Sequence, residues 1–279
     1  MSYKTVLVHL DSILRAQDRI RFAADIAMAN DAHLIGASMI GVSTLTFDNS
    51  GIDEKDPAIA AHLAFLQNRA RKHADEFEAA AKKMGLSSYE ARVVDGEPGY
   101  GICLQARYCD LVVIGQTNID DPSPIVGTDF PESVLLNCGK PVLIVPYSKH
   151  LATVGKKSLI AWDASRAAVR AVTDAIPMLQ KADVVQVAVF NPDSRSEAHG
   201  QNPGEDIALF LARHGINVEV LPPQKDKDVG KALLSLAGTL SSDLLVMGGY
   251  GHTRFREFLM GGVTRTVLDE AAIPVLVSH

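Results

Sequence analysis

Cysteine is scarce in this chain. The three present, Cys103, Cys109 and Cys138, form no CxxC pair, so a reducing cytoplasm fits best, and Cys103 and Cys109, which flank a helix end, read as packed thiols. Long apolar runs are missing too; none approaches the roughly 20 residues a membrane span needs. Positive charge is not in excess. Lys and Arg number 27 against 33 Asp and Glu, for a net charge of −6, which argues against nucleic acid as the main partner. The opening residues, MSYKTVLVHLDS, lack the layout of a signal peptide. There is no G-x-S-x-G nucleophile elbow and no Gly-Lys-Ser/Thr to end a Walker loop. The nine histidines are scattered. His9 and Asp11 lie two apart at a strand end and point to one side, but two candidate ligands are too few for a metal, and structural roles fit better. His62 and His73 read as surface residues of one helix. The reading is therefore a cytoplasmic protein with no nucleic-acid partner, no membrane segment, no metal and no catalytic residues.

What is present is an ample core, 47% apolar in 279 residues, enough for one large or two small domains. Residues 4–10 are a short apolar run rich in β-branched residues, ended by Asp11-Ser12, which reads as a buried strand. A helix is expected over 15–29, a strand over 34–40 and a long, largely solvated helix over 58–84, closed by Gly85. Then come a strand over 89–94, a helix over 99–107, a strand over 111–114, a helix over 131–137 and a strand over 142–145. After a polar linker the programme restarts. Strands are expected over 158–162, 184–190, 216–221, 244–247 and 274–277. The helices between them cover 167–179, 207–214, capped by Gly215, and 229–240, and a last one runs to 270. Two runs of alternating strand and helix mean two parallel-sheet domains.

The two runs are copies of one another. Pro141-Val142-Leu143 matches Pro274-Val275-Leu276 at an offset of 133 residues, and the same offset sets Asp110 on Asp243 and Gly115 on Gly248 without gaps. At the front the offset is 152, from Asp11 to Asp163. The extra residues of the first copy fall between its second and third strands.

The second copy is organised around residues 244–264, LLVMGGYGHTRFREFLMGGVT. An apolar strand stops at Gly248; Gly251 follows, and after nine intervening residues come Gly261 and Gly262, then Val263, Thr264 and a helix. Glycines let a backbone approach a phosphate closely, and the free N–H groups and dipole of a helix start attract an anion. The Thr264 hydroxyl adds a donor. The alternative is a glycine-rich turn that covers a strand end.

The spacing Gly-x2-Gly-x9-Gly resembles the nucleotide loop of the universal stress protein family in its ATP-binding branch. With the repeat, the resemblance to the tandem members covers nearly the whole chain. It implies an α/β fold of two Rossmann-like, adenine nucleotide alpha-hydrolase-like domains, 1–147 and 156–279. Each would be a five-stranded parallel sheet of order 3-2-1-4-5 with helices on both faces. A nucleotide would lie at the topological switch point, where the strand order reverses. Carried over residue by residue, Ala161, Trp162 and Asp163 would stand on the base and ribose side. Val189 would offer backbone to adenine, Met247, Gly248 and Gly251 would line the ribose and phosphates, and Gly261, Gly262, Val263 and Thr264 would take the phosphate tail. Asp163 also suits a helix N-cap, for which Ser165 competes. Trp162 either stacks on the base or packs in the wall. Gly262 replaces the family's usual hydroxyl and His252 its usual Arg or Lys, so ADP or AMP should compete with ATP and Mg²⁺. Arg254 and Arg256 either close over phosphates or are simply solvated.

The first copy departs from this pattern. Asn118 stands for Gly251, Thr128 and Asp129 for Gly261 and Gly262, and Phe130 and Pro131 for Val263 and Thr264. Asp129 sets a carboxylate where phosphate would sit, a repulsion of roughly 4 kcal/mol at ~4 Å and an effective dielectric of ~20. Pro131 removes an N–H, and Asp120 and Asp121 add negative charge. The first domain is read as having lost its phosphate loop, unless that loop folds differently to take another ligand.

The functional expectation is an adenine-nucleotide-binding stress-response regulator with an unknown protein partner. Hydrolysis would be slow at most, since nothing supplies a general base beside the phosphates. A nucleotide-independent adaptor, or an enzyme acting on a small ligand in the altered first cleft, are the rivals. The fifth strands, exposed apolar edges, are expected to pair antiparallel as an internal pseudo-dimer, and the chain is a candidate for homodimerisation.

Overall fold

The computed structural model describes residues 2–11, 16–41, 56–118, 127–148, 152–195, 202–250 and 262–279. The chain divides into two compact units, one of Tyr3–Lys140, the other built on Pro141–His279.

The first unit holds β1 (Thr5–Leu10), α1 (Ala16–Asn30), β2 (His33–Met39), α2 (Pro57–Met84), β3 (Tyr89–Val94), α3 (Pro98–Ala106), β4 (Leu111–Gly115) and α4 (Phe130–Asn137). Its strands run parallel in the order β3-β2-β1-β4. The chain steps outward from β1 to β2 to β3, then returns to the far side of β1. Crossovers in opposite directions from β1 put helices on both faces. Both faces of β1 and β4 are thus covered, and Val6, Leu7, Val8, Leu111, Val112 and Val113 are wholly buried. Sharp local signals set the helix ends. The Asp56 carboxylate accepts from the Ala58 N–H at 2.8 Å, Pro57 opens α2, and Gly85 at φ 77° closes it with its N–H on the Ala81 and Lys82 carbonyls.

The second unit begins with β5 (Val142–Val145) and continues with β6 (Lys157–Ala161), α5 (Arg166–Leu179), β7 (Val184–Ala188), α6 (Glu205–Arg213), β8 (Val218–Val220), α7 (Val229–Thr239), β9 (Leu244–Gly248), α8 (Gly262–Glu270) and β10 (Val275–Ser278). The repeat's own strands lie in the order β8-β7-β6-β9-β10, all parallel, which is the expected 3-2-1-4-5. β5 adds to the far edge, antiparallel to β10, with Leu276 opposite Leu143 and Val277 opposite Val142. An apolar edge is thereby covered by a strand of the same kind.

Two strands are shorter than their apolar runs. β7 stops at Ala188 because Asn191 turns the chain at φ 48°, leaving Phe190 a single bridge to Gln224. β8 keeps only three residues. His73 is also not the surface residue its helix pattern suggests. It is half-buried, 3.4 Å from the Ser38 hydroxyl, because α2 turns that face onto the sheet.

Candidate functional site

In the second unit β6 lies between β7 and β9, and the last residue of β6, Ala161, stands opposite Ala188 on one side and Met247 on the other. Three strand ends therefore open on one edge, at the point where strand order reverses. Trp162 continues the ladder through its N–H to the Ala188 carbonyl, 2.9 Å. Asp163 follows, exposed, and its Oδ1 accepts from the Ser165 N–H at 3.0 Å. The α5 N-cap is Ser165, whose Oγ accepts from the Ala168 N–H at 3.1 Å. The Asp163 side chain thus remains at the strand-end edge.

Gly248 ends β9 against the start of α5. A side chain there would run into the backbone of Ala167 and Ala168, so the glycine sets how closely helix and strand approach. Val189 and Met247 are buried and present no exposed side chain, so any contact they make to a ligand runs through backbone. The Val189 carbonyl already accepts from the Gln224 N–H at 2.9 Å. The Asn191 amide pairs with Asp226 in both directions, at 2.7 and 3.1 Å, and fixes this wall.

On the other side, Gly262 is exposed and begins α8, with Val263 partly exposed and Thr264 buried. The Thr264 Oγ1 accepts from the Tyr250 N–H at 3.4 Å, which joins the two ends of the glycine loop. The positive end of the α8 dipole points out of this start. Gly251, Gly261, His252, Arg254 and Arg256, with Asp120 and Asp121 of the first copy, lie outside the described residues. Among the described residues no three His, Cys, Asp or Glu side chains come together as metal ligands.

The matching edge of the first unit is built differently. Asp129 occupies the N-cap of α4 but makes no capping bond with its side chain, and Pro131 stands in the first turn. His9, at the end of β1, is buried with its ring 4.9 Å from that of Phe130. The Asp11 Oδ1 receives Arg19 Nη2 at 2.5 Å, and His9 Nδ1 lies 3.3 Å from Oδ2 without hydrogen-bond geometry. Burial pushes the Asp11 carboxyl up, but Arg19 and His9 together outweigh it and hold its pKa below the usual carboxylate range. Burial lowers the pKa of His73, against the pull of Asp11 and Glu76. The structural role read for His9 and Asp11 is what the geometry gives. Arg19 and Phe130 as its partners are not evident from the residues alone. The available signal was a charged residue on the apolar stripe of α1 that contains Ile20, Ala23 and Ala27.

The profile of the universal stress protein family matches residues 2–146 and again 156–279. The chain belongs to the universal stress protein family. It is a tandem member, with the repeat that the offsets in its sequence indicate. Universal stress protein Slr1230 of Synechocystis sp. (strain ATCC 27184 / PCC 6803 / Kazusa) is 29% identical over 149 residues, 52% of this chain and 49% of that protein. The matched part thus spans about half the length of that curated relative. Among solved structures, a universal stress protein from Archaeoglobus fulgidus DSM 4304 superposes with a TM-score of 0.71 at 18% identity, over 98% of this chain and 95% of that one. A functionally unknown protein, PA1789, from Pseudomonas aeruginosa PAO1 gives 0.63 at 17% identity, over 99% and 92%. At these identities the likeness of this universal stress protein to both is one of fold. No helix among its described residues is long and apolar enough to cross a membrane.

Proposed function

We propose that the second repeat binds one adenine nucleotide per chain, and that the protein acts as a nucleotide-responsive regulator in the stress response of the cytoplasm. The observation that carries this reading is the switch-point edge of the second unit. There Ala161 is flanked by Ala188 and Met247, Asp163 is exposed beside it, and α8 starts at an exposed Gly262. A carboxylate at a strand end accepts hydrogen bonds from ribose hydroxyls, and a helix start favours phosphate. In this reading Ala161, Trp162, Asp163 and Val189 hold the base and ribose. Met247, Gly248 and Gly251 line the ribose and phosphates, and Gly261, Gly262, Val263 and Thr264 take the phosphate tail, with Mg²⁺ accompanying ATP. Binding is the activity proposed, with hydrolysis slow at most.

Trp162 is the one tryptophan of the chain, so its fluorescence reports on this site alone. Calorimetric titration with AMP, ADP and ATP–Mg²⁺ is expected to give one site per chain, with Trp162 emission changing over the same concentration range. Two equivalent sites, or binding that leaves Trp162 silent, would overturn the assignment to the second repeat.

A further inference from the structure

The offsets of 152 and 133 residues set His9 on Ala161, Asp11 on Asp163, Arg19 on Ala171, and Phe130 on Val263. In the second repeat Ala161 and Val263 are partly exposed, Asp163 is exposed, and position 171 is a methyl group packed in the core. In the first repeat three of these positions carry larger side chains, and those three are shut away. His9 is 1%, Arg19 2% and Phe130 4% exposed. The two rings lie 4.9 Å apart at a 42° tilt, an arrangement that aromatic pairs favour. Asp11 is turned onto Arg19 at 2.5 Å, and a guanidinium nitrogen of Arg19 rests against Gly115 at the end of β4.

Each difference removes something a ligand in that cleft would need. The ring pair takes the volume left by an alanine and a valine. The carboxylate that would accept from a ligand hydroxyl is already engaged by a cation inside the protein. A buried charge pair of this kind resists replacement, because breaking it strands an ion in a medium that solvates it poorly.

We propose that the first repeat's cleft is occupied by its own side chains, His9 against Phe130 and Asp11 against Arg19, and that these four residues exclude a nucleoside from it. The changed glycine loop removes the phosphate grip; the ring pair and the ion pair close the part of the cleft where base and ribose would enter. The inference rests on the second repeat's cleft being the ligand-binding edge of this fold, and its test is separable from that reading.

The probe is adenosine, which has no phosphate for Asp129 to repel. In the wild-type protein, saturating adenosine should leave the His9 imidazole C–H resonances unmoved. The triple variant His9→Ala, Arg19→Ala, Phe130→Val installs the second repeat's residues. It should gain one calorimetric adenosine site per chain that Trp162 fluorescence does not report. Wild-type His9 resonances that shift with adenosine, or a cooperatively melting triple variant with no added site, would overturn the proposal. Should the triple variant not fold, the wild-type His9 measurement decides alone. A failure of the second-repeat assignment shows instead as a silent Trp162 in both proteins, and touches neither readout.

Discussion

Asp243 Oδ1 accepts a hydrogen bond from the backbone N–H of Lys157 at 2.7 Å. Its other oxygen takes the Lys156 N–H at 3.2 Å and the Thr153 hydroxyl at 2.5 Å. The first repeat has the same device: Asp110 Oδ2 accepts from the Lys4 and Thr5 N–H groups at 2.7 and 2.9 Å. In each repeat one aspartate at the entry of the fourth strand pins the first residues of the first strand, and with them the register of the central parallel pair.

Asp243→Ala and Asp110→Ala should therefore each destabilise their repeat by about 1–2 kcal/mol, the net worth of the charge-assisted bonds each accepts once exposure to solvent is discounted. Asparagine at either position should recover about half, since it keeps an acceptor. Urea titration followed by circular dichroism reads both. An alanine variant as stable as wild type would show that the strand order holds without these pins.

Acid should loosen the first repeat through Asp11. Its folded pKa is depressed below the unfolded value near ~3.9, because Arg19 and His9 outweigh the effect of burial. A depressed carboxyl contributes stability that is fully present above its unfolded pKa and lost as pH falls towards the folded one. Melting temperature should thus fall between about pH 5 and pH 3, and Asp11→Asn should flatten that slope. At neutral pH, Arg19→Ala should cost about 3–5 kcal/mol, because it leaves a buried carboxylate without its partner.

Two glycines of the candidate site should respond in opposite ways. Gly248→Ala drives a methyl group into the α5 backbone and should cost about 1–3 kcal/mol in stability. Gly262 has nothing within 4 Å of an added methyl, so Gly262→Ala should melt within about 0.5 kcal/mol of wild type. Gly262→Ser adds a hydroxyl donor at the start of α8. It should tighten ATP–Mg²⁺ by about fivefold to tenfold, the worth of one hydrogen bond. Calorimetry and a thermal melt on the same samples separate fold from ligand. Unchanged ATP affinity in the serine variant would place the phosphates elsewhere.

The thiols should be inert in the folded protein. Burial, with smaller contributions from Cys138 and Glu97, pushes Cys103 up to about 12, and burial pushes Cys109 up to about 11. Cys138 is buried and donates to the Lys140 carbonyl at 3.3 Å. A thiol reagent such as dithiobis-nitrobenzoate at pH 8 should label less than one cysteine per native chain within an hour, and all three in guanidinium. Rapid labelling of a native thiol would contradict the packing role.

The order of elements, the repeat and the family were legible in the sequence because each rests on a local pattern. Unbroken apolar runs mark strands buried on both faces, as in Leu111–Gly115 and Leu244–Gly248. A capping residue such as Gly85 fixes a helix end from within a few positions. The aspartate that precedes each fourth strand was visible as part of the 133-residue offset; what it binds was not. Tertiary structure alone decided which side chains share a buried space. His9 meets Phe130 across more than a hundred residues of chain, and Arg19 turns inward only because Asp11 waits at the end of the central strand. It likewise settled that Ser165, not Asp163, caps α5, and that His73 faces the sheet. Periodicity tells which face of a helix is buried. It does not tell what that face meets, because a long-range contact depends on where several elements converge, and no stretch of sequence encodes that by itself.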